Sequence, residues 1–183
     1  MAFNIDDIKG AMRFGGARPT LFQVILTMPP GIVGDLSQLQ FMARATQIPA
    51  SNLGLIQVPY FGRKVKIAGD RTYDPWTVTI MNDEDFKIRN ALEVWNNRIN
   101  THIGNLRDGN LPEERLYKSV GTVTQFGKQG SVLRSYSLAG VFPETVSTID
   151  LDWNANDTIE EFQVQFQYDY FVVSGPTTTG VIA

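Results

Sequence analysis

Alternation of apolar and polar residues runs through most of the chain and predicts a mainly β protein. Between Thr20 and Met28, and again between Trp76 and Ile80, every second side chain is apolar, which places those side chains on one face of a strand. Two further stretches, 132–139 and 145–153, are rich in β-branched or aromatic residues and predict strands on either side of Pro143.

The clearest strand pattern extends from Glu160 to Val172. One row of this strand is apolar and the other is polar, so we expect one face to be buried and the other to contact water. The apolar row is Phe162, Val164, Phe166, Tyr168 and Tyr170. The polar row is Glu161, Gln163, Gln165, Gln167 and Asp169.

One helix is predicted between these strands. Residues 82–85 offer a capping asparagine and three acidic side chains, which suit the positive end of a helix dipole. Gly104 is a suitable C-terminal stop. Between them, apolar residues at spacings of three and four form one stripe: Ile88, Leu92, Trp95, Ile99 and Ile103.

The stretch from Gln47 to Asp74 differs from the rest because proline and glycine interrupt two short apolar pieces. We interpret it as a long, exposed hairpin that acts as an arm. Residues 174–183 are uncharged and rich in threonine and glycine, which predicts a flexible extension. With no repeat or linker visible, residues 1–183 are expected to form a single domain.

Charge is distributed unevenly along the 183 residues. Residues 1–134 hold 16 basic and 12 acidic side chains, whereas residues 135–183 hold seven acidic side chains and no lysine or arginine. This asymmetry is typical of an acidic tail, a nucleic-acid arm or two faces that attract between copies, although uneven placement on a solvated surface also produces it. The strand patterns in the acidic part argue against a tail.

Candidates for catalysis or metal binding are few. The chain has no cysteine, and its one histidine, His102, has no acidic residue at a spacing that would orient it. Asp150 and Asp152 could share a cation on one strand face, but no third oxygen ligand is spaced near them. The glycines from Gly121 onward do not match a phosphate loop. We therefore expect no catalytic, cofactor-binding or metal-binding residues, and the short apolar runs predict neither a membrane span nor a secretory signal.

A basic run lies on the expected arm. Arg63, Lys64, Lys66 and Arg71 follow Tyr60 and Phe61, as in a nucleic-acid patch with stacking aromatic rings. A few cations on one arm of an acidic chain supply little phosphate affinity, so contact with a protein partner is the better interpretation.

Several segments resemble the tail tube protein of contractile-tailed (myovirus) bacteriophages. They occur in the same order and span the chain from about Arg18 to Tyr170. The matching segments are 17–24, 65–73, 76–84, 151–153 and 156–160. Within them, the Ala-Gly-Asp-Arg-Thr block at 68–72 and the Met-Asn-Asp-Glu block at 81–84 are the most specific.

This resemblance implies a β-sandwich or barrel subunit with one flanking helix. Six subunits would form a ring whose inner sheets join, and stacked rings would form the inner tube of a virion tail that is assembled in the host cytoplasm. The implied partners are further copies of the chain, the tail sheath, baseplate, tape-measure and tail-terminator proteins, and viral DNA that passes without specific binding. No cofactor and no membrane are implied.

Within this frame, two sets of residues receive expected roles. Neutral and acidic side chains suit a lumen through which DNA slides, because phosphates meet no fixed cations there. The expected lumen residues are Thr77, Thr79, Gln163, Gln165, Gln167 and Asp169. The expected contacts between subunits or rings are Arg18, Arg63, Lys64, Asp70 and Arg71.

Three other functions stay open at the level of sequence. The chain could be a tube subunit of a phage-derived protein-injection machine, which sequence barely separates from a phage tail. It could be a soluble β-sandwich module that binds a ligand, which would need an aromatic platform or a pocket. A hydrolase would need a carboxylate pair or triad that we could not place.

Overall fold

A computed structural model describes residues 4–12, 14–109, 111 and 113–176. The helices are α1 (Ile5–Ala11), α2 (Leu39–Met42) and α3 (Lys87–Ile99), and a 3₁₀ turn spans Glu114–Leu116. The strands are β1 (Phe22–Leu26), β2 (Ala43–Thr46), β3 (Ser51–Tyr60), β4 (Arg63–Tyr73), β5 (Trp76–Met81), β6 (Ser119–Phe126), β7 (Val132–Val146), β8 (Glu161–Gln167) and β9 (Tyr170–Ser174). This confirms a mainly β fold.

Seven strands form one antiparallel sheet in the order β1-β6-β7-β8-β5-β2, with β9 also paired to β7. The long strand β7 joins its two halves, since residues up to Val141 pair with β6, those from Ser135 to Ala139 also pair with β9, and those from Phe142 to Val146 pair with β8. Gly140 has a φ of +71°, which glycine adopts at little cost. The sheet therefore bends at Gly140, and its two halves enclose one core.

Alternating side chains from both halves fill this core. Trp76, Val78 and Ile80 of β5 are at most 1% exposed and lie beside Phe162, Val164 and Phe166 of β8. The Trp76 and Phe166 rings are 5.2 Å apart between centroids. Burying side chains of this size stabilises a fold by about 1.5–3 kcal/mol each.

Helix α3 packs its apolar stripe on the same core. Ile88, Leu92 and Trp95 are buried, and the Trp95 indole donates a 2.7 Å hydrogen bond to the carbonyl of Tyr117. The predicted bounds were too wide. The helix begins at Lys87, because residues 83–86 form a hydrogen-bonded turn, and it ends at Ile99, which leaves Ile103 outside the helix and fully exposed.

Two predicted strands differ from the structure. Pro143 lies inside β7 instead of between two strands. Its pairing with β8 shifts register between Pro143 and Thr145, an irregularity of the kind at which a strand tolerates proline, and its carbonyl accepts a hydrogen bond from the Asn96 amide of α3. The strand ends at Val146, so residues 147–160 form a loop and not the second half of a strand over 145–153. We call residues 147–160 the acidic loop.

The strand predicted from Glu160 to Val172 is divided into β8 and β9. The break falls at Tyr168 and Asp169, directly opposite the bend at Gly140, where the Asp169 amide donates to the Ala139 carbonyl at 2.9 Å. Phe162, Val164, Phe166 and Tyr168 are buried as predicted, whereas Tyr170 is exposed.

The expectation of a single helix was also incomplete. The described residues contain the short helices α1 and α2 besides α3. The Asn4 side chain caps α1 by accepting a hydrogen bond from the Asp6 amide, a local signal that the sequence analysis missed. Of the expected extension over 174–183, Ser174 belongs to β9 and residues 177–183 lie outside the described part of the chain.

Candidate assembly and lumen surfaces

Strands β3 and β4 form the long exposed hairpin that the sequence predicted. They pair only with each other, and every residue of β3 is exposed. The hairpin is fixed to the subunit at its base, where the Tyr73 ring lies 5.6 Å from that of Tyr168 and 5.5 Å from that of Phe171. The amide of Asn52 also donates a 2.8 Å hydrogen bond to Asp74.

The register of the hairpin separates two faces of different chemistry. Side chains directly opposite each other share a face, so the Ile56–Ile67 and Val58–Val65 pairs lie together. We call these four residues the apolar face; their exposed fractions are between 43% and 52%. The other face carries the cations Lys64, Lys66 and Arg71. A two-stranded ribbon is marginal in water by itself, so an uncovered apolar face indicates a partner.

Four of the five predicted contact residues lie on this hairpin. Arg63 and Lys64 begin β4 directly after the turn, and Asp70 and Arg71 lie near its base. All four are exposed. Arg18 is also exposed, but it precedes β1 and lines a separate groove with Phe126 and Lys128. The structure thus places four of the five residues on one hairpin, two near its tip and two near its base, and Arg18 elsewhere.

Five of the six predicted lumen residues share one face of the sheet. Thr77 pairs with Gln165 and Thr79 pairs with Gln163, and Gln167 continues the β8 row. These five residues point away from the core, and we call them the amide face. Each is exposed or half-buried, and the Gln167 amide donates a 2.6 Å hydrogen bond to Glu144.

Asp169 does not continue this row. It lies in the break after β8, where its carboxylate accepts hydrogen bonds of 3.0 and 3.1 Å from Lys118. Lys118 also forms an ion pair with Glu114, and this hydrogen bond lowers the pKa of Glu114 and raises that of Lys118. Asp169 therefore belongs to a charged group at the rim of the amide face.

A third surface was missed by the sequence analysis. The acidic loop exposes Leu151, Trp153 and Ile159, and the Trp153 side chain is 100% exposed. The loop also holds four acidic residues and no lysine or arginine. The available signal was the pair of apolar residues Leu151 and Trp153 next to the turn-forming run 154–157, but it was interpreted as the end of a strand.

More carboxylates lie at the same end of the sheet. The Asn82 amide group donates a 2.8 Å hydrogen bond to Glu160, which joins the start of the 82–86 turn to the end of the acidic loop. In that turn, Lys87 lies 2.7 Å from the Asp85 carboxylate, and its hydrogen bond lowers the pKa of Asp85. Asp85 thus stays ionised over the range in which proteins normally function.

The candidates for chemistry are not assembled into a site. His102 is exposed, and its backbone amide donates to the Asn97 side chain. Asp152 accepts two hydrogen bonds from Asn154, which makes it a turn residue. The described part of the chain holds no group of three or more His, Asp or Glu residues that could bind a metal ion. It also has no helix both long and apolar enough to span a bilayer.

The chain is similar to known proteins both in sequence and in fold. Residues 17–174 match the family model of the phage tail tube protein. The tail tube protein gp19 of Enterobacteria phage T4 is 36% identical over 169 residues, covering 91% of this chain and 98% of that protein. The tail tube protein of Serratia phage KSP90 is 26% identical over 168 residues, covering 90% and 93%.

Solved structures show the same fold at low sequence identity. A chain in the sheath–tube complex of an extracellular contractile injection system (PVC), in the extended state, has a TM-score of 0.60 at 16% identity and covers 94% of this chain and 99% of its own. A chain in the six-fold symmetrised baseplate of the anti-feeding prophage has a TM-score of 0.62 at 11% identity, with coverage of 87% and 96%.

Family model and relatives agree over nearly the whole chain, and the described surfaces suit a building block better than a reaction centre. The chain belongs to the phage tail tube protein family and is a structural subunit of a virion tail.

Proposed function

We propose that six copies of this chain form a ring, and that rings stack into the inner tube through which DNA leaves the virion inside a contractile sheath. The observation that carries this proposal is the hairpin, whose apolar face is uncovered in the subunit. An uncovered two-stranded ribbon gains stability only when another surface buries it. The number six is taken from the family resemblance, and the symmetry named for the anti-feeding prophage baseplate supports it.

Each ring would be closed by contacts between two different surfaces of neighbouring copies, and stacking would use a second pair of surfaces. Arg63, Lys64, Asp70 and Arg71 would act in these contacts through the hairpin, and Arg18 through its own groove. The tail sheath, baseplate, tape-measure and tail-terminator proteins would be the further partners. In this role the chain acts by shape and charge, and we assign it no catalysis.

The lumen would be lined by the amide face. Thr77, Thr79, Gln163, Gln165 and Gln167 are uncharged, so these five residues would offer DNA phosphates no fixed cation to bind. Asp169 would contribute negative charge at the rim, where Lys118 partly neutralises it. DNA is favoured over a protein cargo because the T4 tail tube protein is 36% identical, whereas the matched chain of the PVC injection system is 16% identical.

Negative-stain microscopy of concentrated protein, with and without a baseplate as template, tests the assembly. We expect rings or tubes with six subunits per turn. A protein that sediments as a monomer at every concentration and grows no tube on a baseplate would overturn the proposal.

The lumen assignment is tested by Gln165→Lys, with Asn90→Lys on the exposed face of α3 as the matched control. Both variants should assemble. Only Gln165→Lys should slow DNA ejection, and the effect should grow at low salt because ions screen an exposed cation less there. Normal ejection by Gln165→Lys at low salt would place the amide face outside the lumen.

A further inference from the structure

The hairpin and the acidic loop lie at opposite ends of the same pair of strands. Tyr73 ends the hairpin just before Trp76, which is opposite Phe166, the next-to-last residue of β8. Glu160 ends the acidic loop just before Glu161, which is opposite Met81, the last residue of β5. The length of β5, about 17 Å at 3.4 Å per residue, separates the two features within one subunit.

The tip of the hairpin, Tyr60–Lys64, combines apolar and positive groups. The Phe61 side chain is 91% exposed, and the Tyr60 ring packs edge-on against it with centroids 4.8 Å apart. Arg63 and Lys64 are exposed, and neither forms an ion pair within the described residues. Two aromatic rings beside two unpaired cations suit a partner that is both apolar and acidic.

The acidic loop has the complementary composition. Trp153 and Leu151 are exposed beside Asp150 and Asp152, and neither carboxylate forms an ion pair with a described residue. The loop is ordered by its own hydrogen bonds, including one of 3.1 Å from the Ala155 amide to the Asp152 carbonyl. A large aromatic side chain held fully in water, with unpaired charge beside it, is typical of a surface that a partner covers.

We propose that the hairpin tip of one copy docks on the acidic loop of a copy in the next ring, with Arg63 and Lys64 facing Asp150 and Asp152, and Trp153 packing against the tip. This inference rests on the proposed tube and adds the surface that receives the hairpin. The partner is a second copy because the two features complement each other in charge and lie at opposite ends of each subunit. Such an arrangement repeats without closing, as axial stacking requires.

Charge reversal and its rescue test the contact. Lys64→Asp and Asp152→Lys should each raise the protein concentration needed for tube growth about tenfold, the effect of losing about 1.4 kcal/mol. The two changes combined in one chain should restore growth, because the pair is regained with its signs exchanged. Arg115→Asp, at an exposed arginine of the 3₁₀ turn Glu114–Leu116, is the matched control and should leave growth unchanged. If the double variant is as impaired as the single ones, the proposed pairing is wrong.

Cross-linking supplies a second measurement, since the chain has no natural cysteine. Lys64→Cys with Asp152→Cys, treated with a short bismaleimide after assembly, should give ladders of linked subunits. Arg115→Cys with Asp152→Cys should not. Normal tubes without a ladder would overturn this contact while leaving the tube proposal intact, whereas absence of tubes from the unmodified chain would contradict the tube itself.

Discussion

Two antiparallel strand pairs of this molecule both carry an apolar row, but one row is buried in the subunit and the other is exposed. In the β5–β8 pair, Trp76, Val78 and Phe166 are at most 1% exposed. In the β3–β4 hairpin, Val58 and Ile67 share the apolar face, yet they are 43% and 49% exposed. The first pair has the opposite half of the sheet and α3 above its apolar row. Among the described residues, none of the four apolar-face residues of the hairpin packs against this core.

The difference shows that alternation reports a buried face without reporting which molecule buries it. In the β5–β8 pair the covering surface belongs to the same chain, so that pair contributes to folding. The apolar-face side chains of the hairpin are left out of that core, and under the proposed assembly they would be covered by another copy. The sequence signal that distinguishes the hairpin is the proline and glycine that interrupt its apolar pieces. In the structure, β3 and β4 form a separate two-stranded sheet.

The largest expected effect of a substitution is on the stability of the isolated subunit, where the two strand pairs should differ most. Trp76→Ala should lower the free energy of unfolding of the isolated subunit by about 3–5 kcal/mol, because it leaves a cavity between β5, β8 and Gly121. Val58→Ala on the hairpin should lower it by less than about 1 kcal/mol, because Val58 is already 43% exposed and lies outside the core. Urea denaturation followed by far-UV circular dichroism, at a concentration below assembly, measures both. Equal losses would mean that the hairpin is part of the subunit core.

A smaller effect is expected where the sheet bends. Gly140→Ala places a Cβ at a φ of +71° and directs it at the Asp169 side chain. We expect a loss of about 1–2 kcal/mol from the left-handed backbone alone. Gly62 also has a positive φ, of +81°, but a Cβ there would meet open space, so Gly62→Ala is the matched control on the hairpin. If Gly140→Ala is no more destabilising than Gly62→Ala, contact with Asp169 plays no part at the bend.

Much of this architecture could be predicted from residue patterns. The strands around Val24, Val78 and Val164, the stripe of α3 and the hairpin all follow from local periodicity. The bend at Gly140 could not be predicted, since it depends on β7 exchanging one partner strand for another, a relation between segments far apart in the chain. The same non-local cause divides Glu160–Val172 and leaves Asp169 beside Lys118.

The candidate surfaces also differ in whether the sequence could predict them. The amide face follows from alternation in β5 and β8, because the register aligns Thr77 with Gln165. The acidic loop was missed because Leu151 and Trp153 are spaced as in a strand, and only the end of β7 at Val146 shows that they belong to a loop. The local pattern identifies the face of the strand on which a residue lies. The residue at which a strand ends depends on its pairing with strands that are distant in the sequence.

The smallest expected effect concerns the pH dependence of stability at the base of the hairpin, where the Tyr73 ring contacts that of Tyr168. Burial raises the pKa of Tyr168, and its hydroxyl has no hydrogen-bond partner among the described residues. The unfolded chain therefore releases the Tyr168 proton more readily than the folded one. The contribution of Tyr168 to the free energy of unfolding is complete below about pH 10, the ordinary tyrosine pKa, and is lost as the pH rises through the pKa of the folded state.

Tyr168→Phe should change the free energy of unfolding by less than about 1 kcal/mol at pH 7 and should reduce the loss of stability at alkaline pH. Tyr170→Phe, at an exposed tyrosine, is the control and should retain the full loss. Urea denaturation of the three proteins between pH 7 and pH 11 measures the difference, and parallel alkaline losses in all three would show that Tyr168 stays in contact with water at the base of the hairpin.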